Sequence, residues 1–297
     1  MRKTAKNKAY ILHEWARKQL VRDRRKWQKQ VARSIRQRKK EQLPNKENET
    51  PEKQSPKQPQ MPYNSGWKIA TLNCRDLNEQ SKREQIIDIM HTHQIDFLAL
   101  QETKINASSH ECHTNEQSND KYYFFFSSFN SLATPIPKAQ ANAKVRPRQP
   151  PTEHHGVSFV IGPKYYDCLK ECVPHNGRII EIKIANSGPD ICLIRHYAPH
   201  SGRPVAENEK HWDNLQQILS TKTRQAPVIL LGDTNARIHG RVSDIEGSVV
   251  GRHVFGHGNH YVQELPEEQR ENRQMLMDFC ISNNLTISNT FFRKADS

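Results

Sequence analysis

The stretch that decides the fold is VILLGDTNAR, residues 228–237. Four apolar residues run without interruption from Val228, between a proline and a glycine. A short apolar run with a strand-breaking residue at each end predicts a strand buried on both faces. Because residues two apart in an extended segment point the same way, Asp233 and Asn235 are expected to aim together beyond its carboxyl end. The same pair is typical of an Asx turn, and this stretch alone leaves both interpretations open.

Outward from this stretch, apolar runs of strand length alternate with helical patterns. Strands are expected at 67–73, at 95–102, at 122–128, in GVSFVIG, GRIIEIKI and DICLIRHYAP, and from LTISNTFF onward. Helices are expected at 81–93, with Ser81 and Glu84 as a capping box, at 207–223 and at 267–284. Since the strand runs are separated sometimes by a helix and sometimes by another strand, the pattern predicts an α/β body of two stacked sheets with helices outside.

The positive charge is concentrated at the N-terminus. Residues 1–42 hold 16 Lys and Arg against 3 Asp and Glu, which accounts for the whole net charge of +13. The segment predicts a basic amphipathic helical arm, and the candidate nucleic-acid contacts are Arg22, Arg24, Arg25, Lys26, Arg36, Arg38, Lys39 and Lys40. A nuclear-import signal, a membrane-surface helix and a solvated helix packed on the body are the alternatives. Five prolines among polar residues predict a disordered linker at 43–65, so the folded domain spans 66–297.

The cysteines indicate the compartment. Six are present without a Cys-x-x-Cys pair, and the sequence shows neither a signal peptide nor an apolar stretch of membrane length. Free thiols are typical of a reducing environment, so a nuclear or cytoplasmic location is expected. We expect no membrane partner, and a monomer.

Polar side chains stand where the apolar runs end: Asn73, Glu102, Tyr197, Asp233 and Asn235. Taken singly, each has an ordinary explanation as a loop acid, a turn residue or a space-filling ring. Taken together, they lie where α/β proteins place ligands. The carboxylate of Glu102 is a hard oxygen ligand for Mg²⁺ or Mn²⁺, and that of Asp233 can polarise a water. The amides and the phenol can contact phosphate oxygens, so the set suits metal-assisted phosphodiester hydrolysis.

The chain resembles the endonuclease/exonuclease/phosphatase family, which includes pancreatic DNase and the abasic-site endonucleases. The resemblance rests on motifs in the family's order: TLNCRDL, IDFLALQET, GVSFVI, GRIIEIKI, YAP, ILLGDTNAR, QMLMDFC and NTFF. Within the family it is most similar to the endonucleases of LINE-type non-LTR retrotransposons and to craniofacial development protein 2-like chains. The resemblance implies a DNase I-like four-layer α/β/β/α sandwich.

The resemblance also implies roles for the strand-end residues. Glu102 would be the main metal ligand, assisted by Asn73. Asp233 would position or activate the water, Asn235 would contact the phosphate, and Tyr197 would lie near the scissile group. The implied cofactor is Mg²⁺ or Mn²⁺ and the implied partner is DNA, with RNA as an alternative. The product would be a nick whose 3′-hydroxyl primes reverse transcription.

The sequence departs from the family pattern in two places. Thr234 stands in GDTN where an aromatic residue is commoner, and we expect a modest loss there. The family continues beyond the NTFF region through further strands to a Ser-Asp-His segment, whereas this sequence stops at Ser297. The expectation is therefore a sandwich that lacks its final strands, with activity reduced or absent because one electrostatic stabiliser is missing.

Three functions are compatible with this sequence. The first is a Mg²⁺-dependent DNA endonuclease domain of a retroelement-derived protein. The second is a phosphoesterase acting on a nucleotide, RNA or a lipid phosphate. The third is a catalytically dead nucleic-acid-binding remnant that uses the basic helix.

Overall fold

The computed structural model describes residues 66–105, 108–128, 156–223, 225–254 and 259–293. The expected basic arm at 1–42, with its eight candidate contacts, and the linker at 43–65 lie outside the described residues. Their boundaries and roles stay predictions. Among the described helices, none combines the length and the apolar composition needed to cross a membrane.

The first sheet has five strands, in the order β1-β2-β5-β4-β3. Their bounds are β1 Ile69–Asn73, β2 Phe97–Gln101, β3 Ser109–Thr114, β4 Lys121–Ser127 and β5 Val157–Ile161. Strand β1 runs parallel to β2, and the other pairings are antiparallel. All residues of β2 and β5 are buried, as their continuous apolar sequences predict.

The second sheet has four strands, in the order β6-β7-β8-β9. Their bounds are β6 Leu169–Asn176, β7 Ile179–Ile184, β8 Ile191–Tyr197 and β9 Val228–Asp233. The first three form an antiparallel meander, and β9 runs parallel to β8. Each sheet therefore contains one parallel pair, whose carboxyl ends lie together.

The helices follow the strands along the chain. Their bounds are α1 Gln80–His93, α2 Val205–Ser220, α3 Asn259–Gln263 and α4 Glu267–Asn283. Short 3₁₀ turns occur at Pro163–Tyr165, Asp244–Ser248 and Ser288–Thr290. The capping-box prediction is wrong: α1 begins one residue before Ser81, and its N-cap, Glu79, makes no side-chain capping bond.

Three buried clusters hold these elements together. One cluster fills the space between the sheets, with Phe159 of β5 and Leu193 of β8 among its members. A second packs α1 against the first sheet, and a third packs α2 and α4 against the second sheet. The predicted α/β class, with two sheets and helices, is confirmed. The full four-layer description stays a prediction.

Two strands were not expected from the sequence, and one expected strand is absent. Strand β3 reads SHECHT and β6 reads LKECVPHN, and both lie at sheet edges, where polar residues and proline are tolerated. The strand predicted from LTISNTFF onward is wrong. In its place the chain forms the 3₁₀ turn at Ser288–Thr290 and one isolated bridge between Val250 and Ile287.

The burial predicted for strand β9 is wrong. Its apolar run predicts burial on both faces, yet within the described residues it pairs only with β8, and all six of its residues are of intermediate exposure. The residue types fit a covered strand, whereas the pairing makes β9 an edge strand of the described sheet.

Two histidines lie in the cluster that joins the second sheet to its helices. Nδ1 of His196 on β8 lies 3.2 Å from Nε2 of His211 on α2, and both side chains are buried. Burial lowers the pKa of His196 to about 3 and that of His211 well below its usual value, with Arg195 adding to both shifts. Both rings are therefore neutral in the folded protein, and one donates a hydrogen bond to the other.

This pair predicts a loss of stability in mild acid. Because both folded-state pKa values are lowered, the unfolded chain binds more protons below its own histidine pKa of about 6.5, and stability falls as pH falls through that value. Between pH 8 and 5.5 we expect a loss of about 1.5 kcal/mol for each histidine. Urea unfolding at a series of pH values measures it. His211→Gln removes one titration and should halve the slope, whereas a flat profile in the native chain would contradict the assignment.

Candidate active site

The candidate site lies where the parallel strand pairs of both sheets end. Asn73 closes β1 and pairs with Gln101, the last residue of β2, so that Glu102 follows directly beside it. In the second sheet, Tyr197 closes β8 and pairs with Asp233, the last residue of β9. The parallel register thus places polar residues in pairs at the carboxyl end of each sheet.

Glu102 joins the two sheets. Its Oε1 accepts a hydrogen bond of 2.8 Å from Asn73 Nδ2 and another of 2.8 Å from the hydroxyl of Tyr197. The side chain of Glu102 is half-buried. Its backbone has φ +56°, in the left-handed region that residues other than glycine rarely adopt. Such strain is typical of functional positions, where surrounding contacts hold the residue in place.

The two donors to Glu102 are themselves oriented. Asn73 Oδ1 accepts a hydrogen bond of 3.0 Å from the backbone N–H of Arg75, which fixes the amide so that Nδ2 faces Glu102. Burial, the hydrogen bond to Glu102 and the charges of Glu102 and Asp233 together raise the pKa of Tyr197 to about 12. The phenol therefore stays protonated and donates throughout the neutral range.

Arg178 also contacts Tyr197. Its guanidinium lies 5.4 Å from the centre of the Tyr197 ring, and Nη1 donates to the Tyr197 carbonyl over 3.3 Å. Arg178 lies within GRIIEIKI, and no role was expected for it from the sequence. A Gly-Arg pair immediately before a buried strand was the available signal.

Asp233 and Asn235 form an Asx turn. Asp233 Oδ1 accepts a hydrogen bond of 2.9 Å from the backbone N–H of Asn235, and Asn235 Nδ2 donates to the Ala198 carbonyl over 2.7 Å. The expectation that Asp233 and Asn235 point the same way along an extended segment is wrong, because β9 ends at Asp233 and Asn235 has φ +47°. The turn interpretation describes the backbone, and Asp233 still lies beside Tyr197 through the strand pairing.

The donor set fits a hard divalent cation. The described residues contain no group of three or more His, Cys, Asp and Glu side chains suited to hold a metal ion. Mg²⁺ is usually bound by one or two carboxylates, with waters and substrate phosphates completing its shell. Glu102 and Asp233 are half-buried carboxylates at one edge of the fold, with amide oxygens nearby. These are the ligand types that such a cation prefers.

The structure therefore brings together Asn73, Glu102 and Tyr197 by direct hydrogen bonds. Asp233 adjoins them through its pairing with Tyr197, and Asn235 adjoins Asp233 through the turn.

Comparisons with known proteins place the chain in a family. The sequence profile of the Endonuclease/Exonuclease/phosphatase family matches residues 67–244. Craniofacial development protein 2 of Bos taurus is 24% identical over 226 residues, which cover 76% of this chain. The matched part spans only 31% of that relative's length.

Two solved structures are similar to this chain at low sequence identity. AP endonuclease LMAP from Leishmania major is 15% identical with a TM-score of 0.43, covering 73% of this chain and 66% of that one. The endonuclease domain of TRAS1, a telomere-specific non-LTR retrotransposon, is 13% identical with a TM-score of 0.39, covering 72% of this chain and 71% of that one. The profile match spans more than half of the chain and contains all five strand-end residues. The chain belongs to the endonuclease/exonuclease/phosphatase family.

Proposed function

We propose that this chain hydrolyses phosphodiester bonds of DNA with Mg²⁺ or Mn²⁺ at the strand-end site. The observation that carries the proposal is the convergence on Glu102 Oε1 of one donor from each sheet, Asn73 and Tyr197, with Asp233 beside them. Membership in the family supports phosphoester hydrolysis as the reaction class, and the ligand types favour a hard divalent cation.

Each residue has a task that its contacts allow. Glu102 and Asn73 would hold the cation, which supplies charge to stabilise the developing negative phosphate oxygens. Asp233 would accept a hydrogen bond from the attacking water and orient it. Tyr197, kept protonated by its surroundings, would donate a hydrogen bond near the scissile phosphate.

Asn235 would contact a phosphate oxygen with part of its amide. One N–H of its side chain is taken by the Ala198 carbonyl, and an amide carries two such donors. The second N–H is therefore the group that we assign to the substrate.

DNA is proposed as the substrate on the strength of the charge distribution. Residues 61–297 carry equal numbers of basic and acidic residues, 26 of each, so attraction to a polyanion would come chiefly from the basic arm at residues 1–42, which contains the eight candidate contacts. We propose that this arm holds DNA through its phosphates and leaves the chemistry to the strand-end site. RNA remains the alternative polymer, and the protein is proposed to act as a monomer in the nucleus or cytoplasm.

Nicking of supercoiled plasmid by the full chain tests the proposal. We expect nicked circles in Mg²⁺ or Mn²⁺ and none in EDTA, with weaker plasmid binding after deletion of residues 1–42. Parallel reactions contain an RNA oligomer and the small diester bis(p-nitrophenyl) phosphate. Turnover of the small diester without plasmid nicking would favour a phosphoesterase with another substrate. Salt-dependent plasmid binding without turnover of any substrate would favour the binding remnant.

A further inference from the structure

Arg195 is a fully buried cation between the two sheets. It lies on β8 with an exposed fraction of 0%. It shares a strand face with Leu193 and Tyr197, both of which pack into the cluster that separates the sheets. An isolated charge in such a layer is costly unless it is paired and hydrogen-bonded, so an arginine here needs an explanation.

Most of the hydrogen-bonding capacity of Arg195 is not used. Nε donates to the Leu100 carbonyl over 3.0 Å, whereas Nη1 and Nη2 are buried and have no partner within the part of the chain that the structure describes. Arg273 shows the contrast, since this second buried arginine has all three nitrogens bonded to acceptors. Packing alone would not retain a cation with its two terminal nitrogens unpaired.

The position of Arg195 relates it to the candidate site. Leu100, the acceptor of its Nε, precedes Glu102 by two residues on β2. Arg195 itself precedes Tyr197 by two on β8, and its Cζ lies 6.0 Å from the centre of that ring. Its partner in the β8-β9 register in turn precedes Asp233 by two. Arg195, the acceptor of its Nε and its partner on β9 therefore each precede one of the three site residues by two positions.

Gly232 leaves room for this guanidinium. A Cβ at position 232 would lie 2.6 Å from Nη1 of Arg195 and 1.9 Å from the carbonyl oxygen of His196. Gly232 also has a backbone φ of +141°, which residues with a Cβ rarely adopt. Nη1 of Arg195 therefore lies against β9 at the residue before Asp233.

Arg195 keeps its charge at neutral pH. Burial lowers the pKa of the guanidinium to about 9, and the nearby charge of Asp233 opposes that shift. The site consequently contains a fixed positive charge in addition to any cation that enters from solution.

We propose that Arg195 is a resident cation of the site, a positioning residue whose buried charge offsets the carboxylates of Glu102 and Asp233 and weakens their affinity for a divalent cation. The inference rests on the proposed function in one respect, namely that these carboxylates bind the metal. Arg195 does not touch the reacting atoms. It reduces the net negative charge that the two acids present to an incoming divalent cation.

The direction in which Mn²⁺ affinity changes on substitution of Arg195 separates this role from a purely structural one. Mn²⁺ binding to the full chain at pH 7.5 is measured from the electron paramagnetic resonance signal of free Mn²⁺, for the native chain, Arg195→Met and Arg195→Lys. Loss of the buried charge should tighten Mn²⁺ binding roughly tenfold in Arg195→Met, because the cation no longer meets a like charge in a region of low dielectric. Arg195→Lys keeps the charge and should bind as the native chain does.

The control variant is Arg270→Met. Arg270→Met makes the same exchange at an exposed position near the start of α4 and should leave Mn²⁺ binding unchanged. Arg195→Met should remain folded, since an apolar side chain of similar volume relieves an incompletely paired buried charge. If it does not fold, Arg195→Gln, which can still donate to Leu100, should give the same gain. Equal or weaker Mn²⁺ binding by the folded neutral variant would overturn the inference.

This measurement also distinguishes the inference from the proposed function. Native Mn²⁺ binding without plasmid nicking would count against hydrolysis, while the comparison of Arg195→Met with the native chain would still decide the role of Arg195. No Mn²⁺ binding by either chain would overturn both.

Discussion

Glu102→Gln is expected to lower the rate of plasmid nicking by at least roughly 10³-fold. The substitution preserves the size of the side chain and leaves an amide oxygen that can still accept from Asn73 and Tyr197. It removes the negative charge that makes Glu102 the proposed main ligand of the cation. The loss should therefore appear in hydrolysis and in Mn²⁺ affinity, with little change in the free energy of unfolding.

The matched control is Glu209→Gln, the same exchange at an exposed position on α2. It should nick plasmid at the native rate. Raised metal concentration should restore part of the activity of Glu102→Gln, because a weakened ligand set is still filled by mass action. Native nicking by Glu102→Gln would remove Glu102 from the site and with it the proposed arrangement.

Glu246→Ala is expected to lower the free energy of unfolding by about 3–5 kcal/mol. Glu246 accepts two hydrogen bonds from the guanidinium of Arg273 on α4, at 3.0 and 2.7 Å, and both side chains are buried. Loss of the carboxylate leaves a buried, uncompensated positive charge. Since Arg273 also donates to the carbonyls of Ile238 and Gly240, the substitution loosens the chain that leaves the site after Asn235.

Urea unfolding measures the effect, with Asp244→Ala as the control. Asp244 lies exposed in the same 3₁₀ turn, so its removal should change stability by less than about 0.5 kcal/mol. The double variant Glu246→Leu with Arg273→Met removes both charges and should lose less than Glu246→Ala alone. A loss below about 1 kcal/mol in Glu246→Ala would show that Arg273 finds another partner.

The strands that carry the site could be predicted from the sequence. Continuous apolar runs locate β2, β5 and β8, because burial of both sheet faces leaves a local signature that needs no knowledge of partners. The same kind of run locates β9, although all six of its residues are of intermediate exposure. Asn73, Glu102 and Tyr197 then follow from one rule, that a polar residue where an apolar run ends lies at the edge of its sheet. The structure joins these three by hydrogen bonds.

Features that depend on tertiary contacts could not be predicted. The edge strands β3 and β6 have polar sequences because each pairs on one side only, so their periodicity is weak. The choice between the Asx turn and an extended Asn235 also stayed open, because the bond from Asn235 to the Ala198 carbonyl joins it to another part of the fold. Arg195 gave no signal at all, since in RHYAP it reads as an ordinary charged residue until the opposite sheet covers it.

The central claim is that Glu102 and Asp233 face one cleft and share one divalent cation. Anomalous diffraction from crystals of the chain soaked in Mn²⁺ tests this claim most directly, because it locates the metal without requiring turnover. The account predicts a single strong peak at these strand ends, within coordination distance of Glu102 and in the cleft onto which Asp233 opens. A peak bound elsewhere in the domain, or carboxylates of Glu102 and Asp233 that open onto separate clefts, would contradict it.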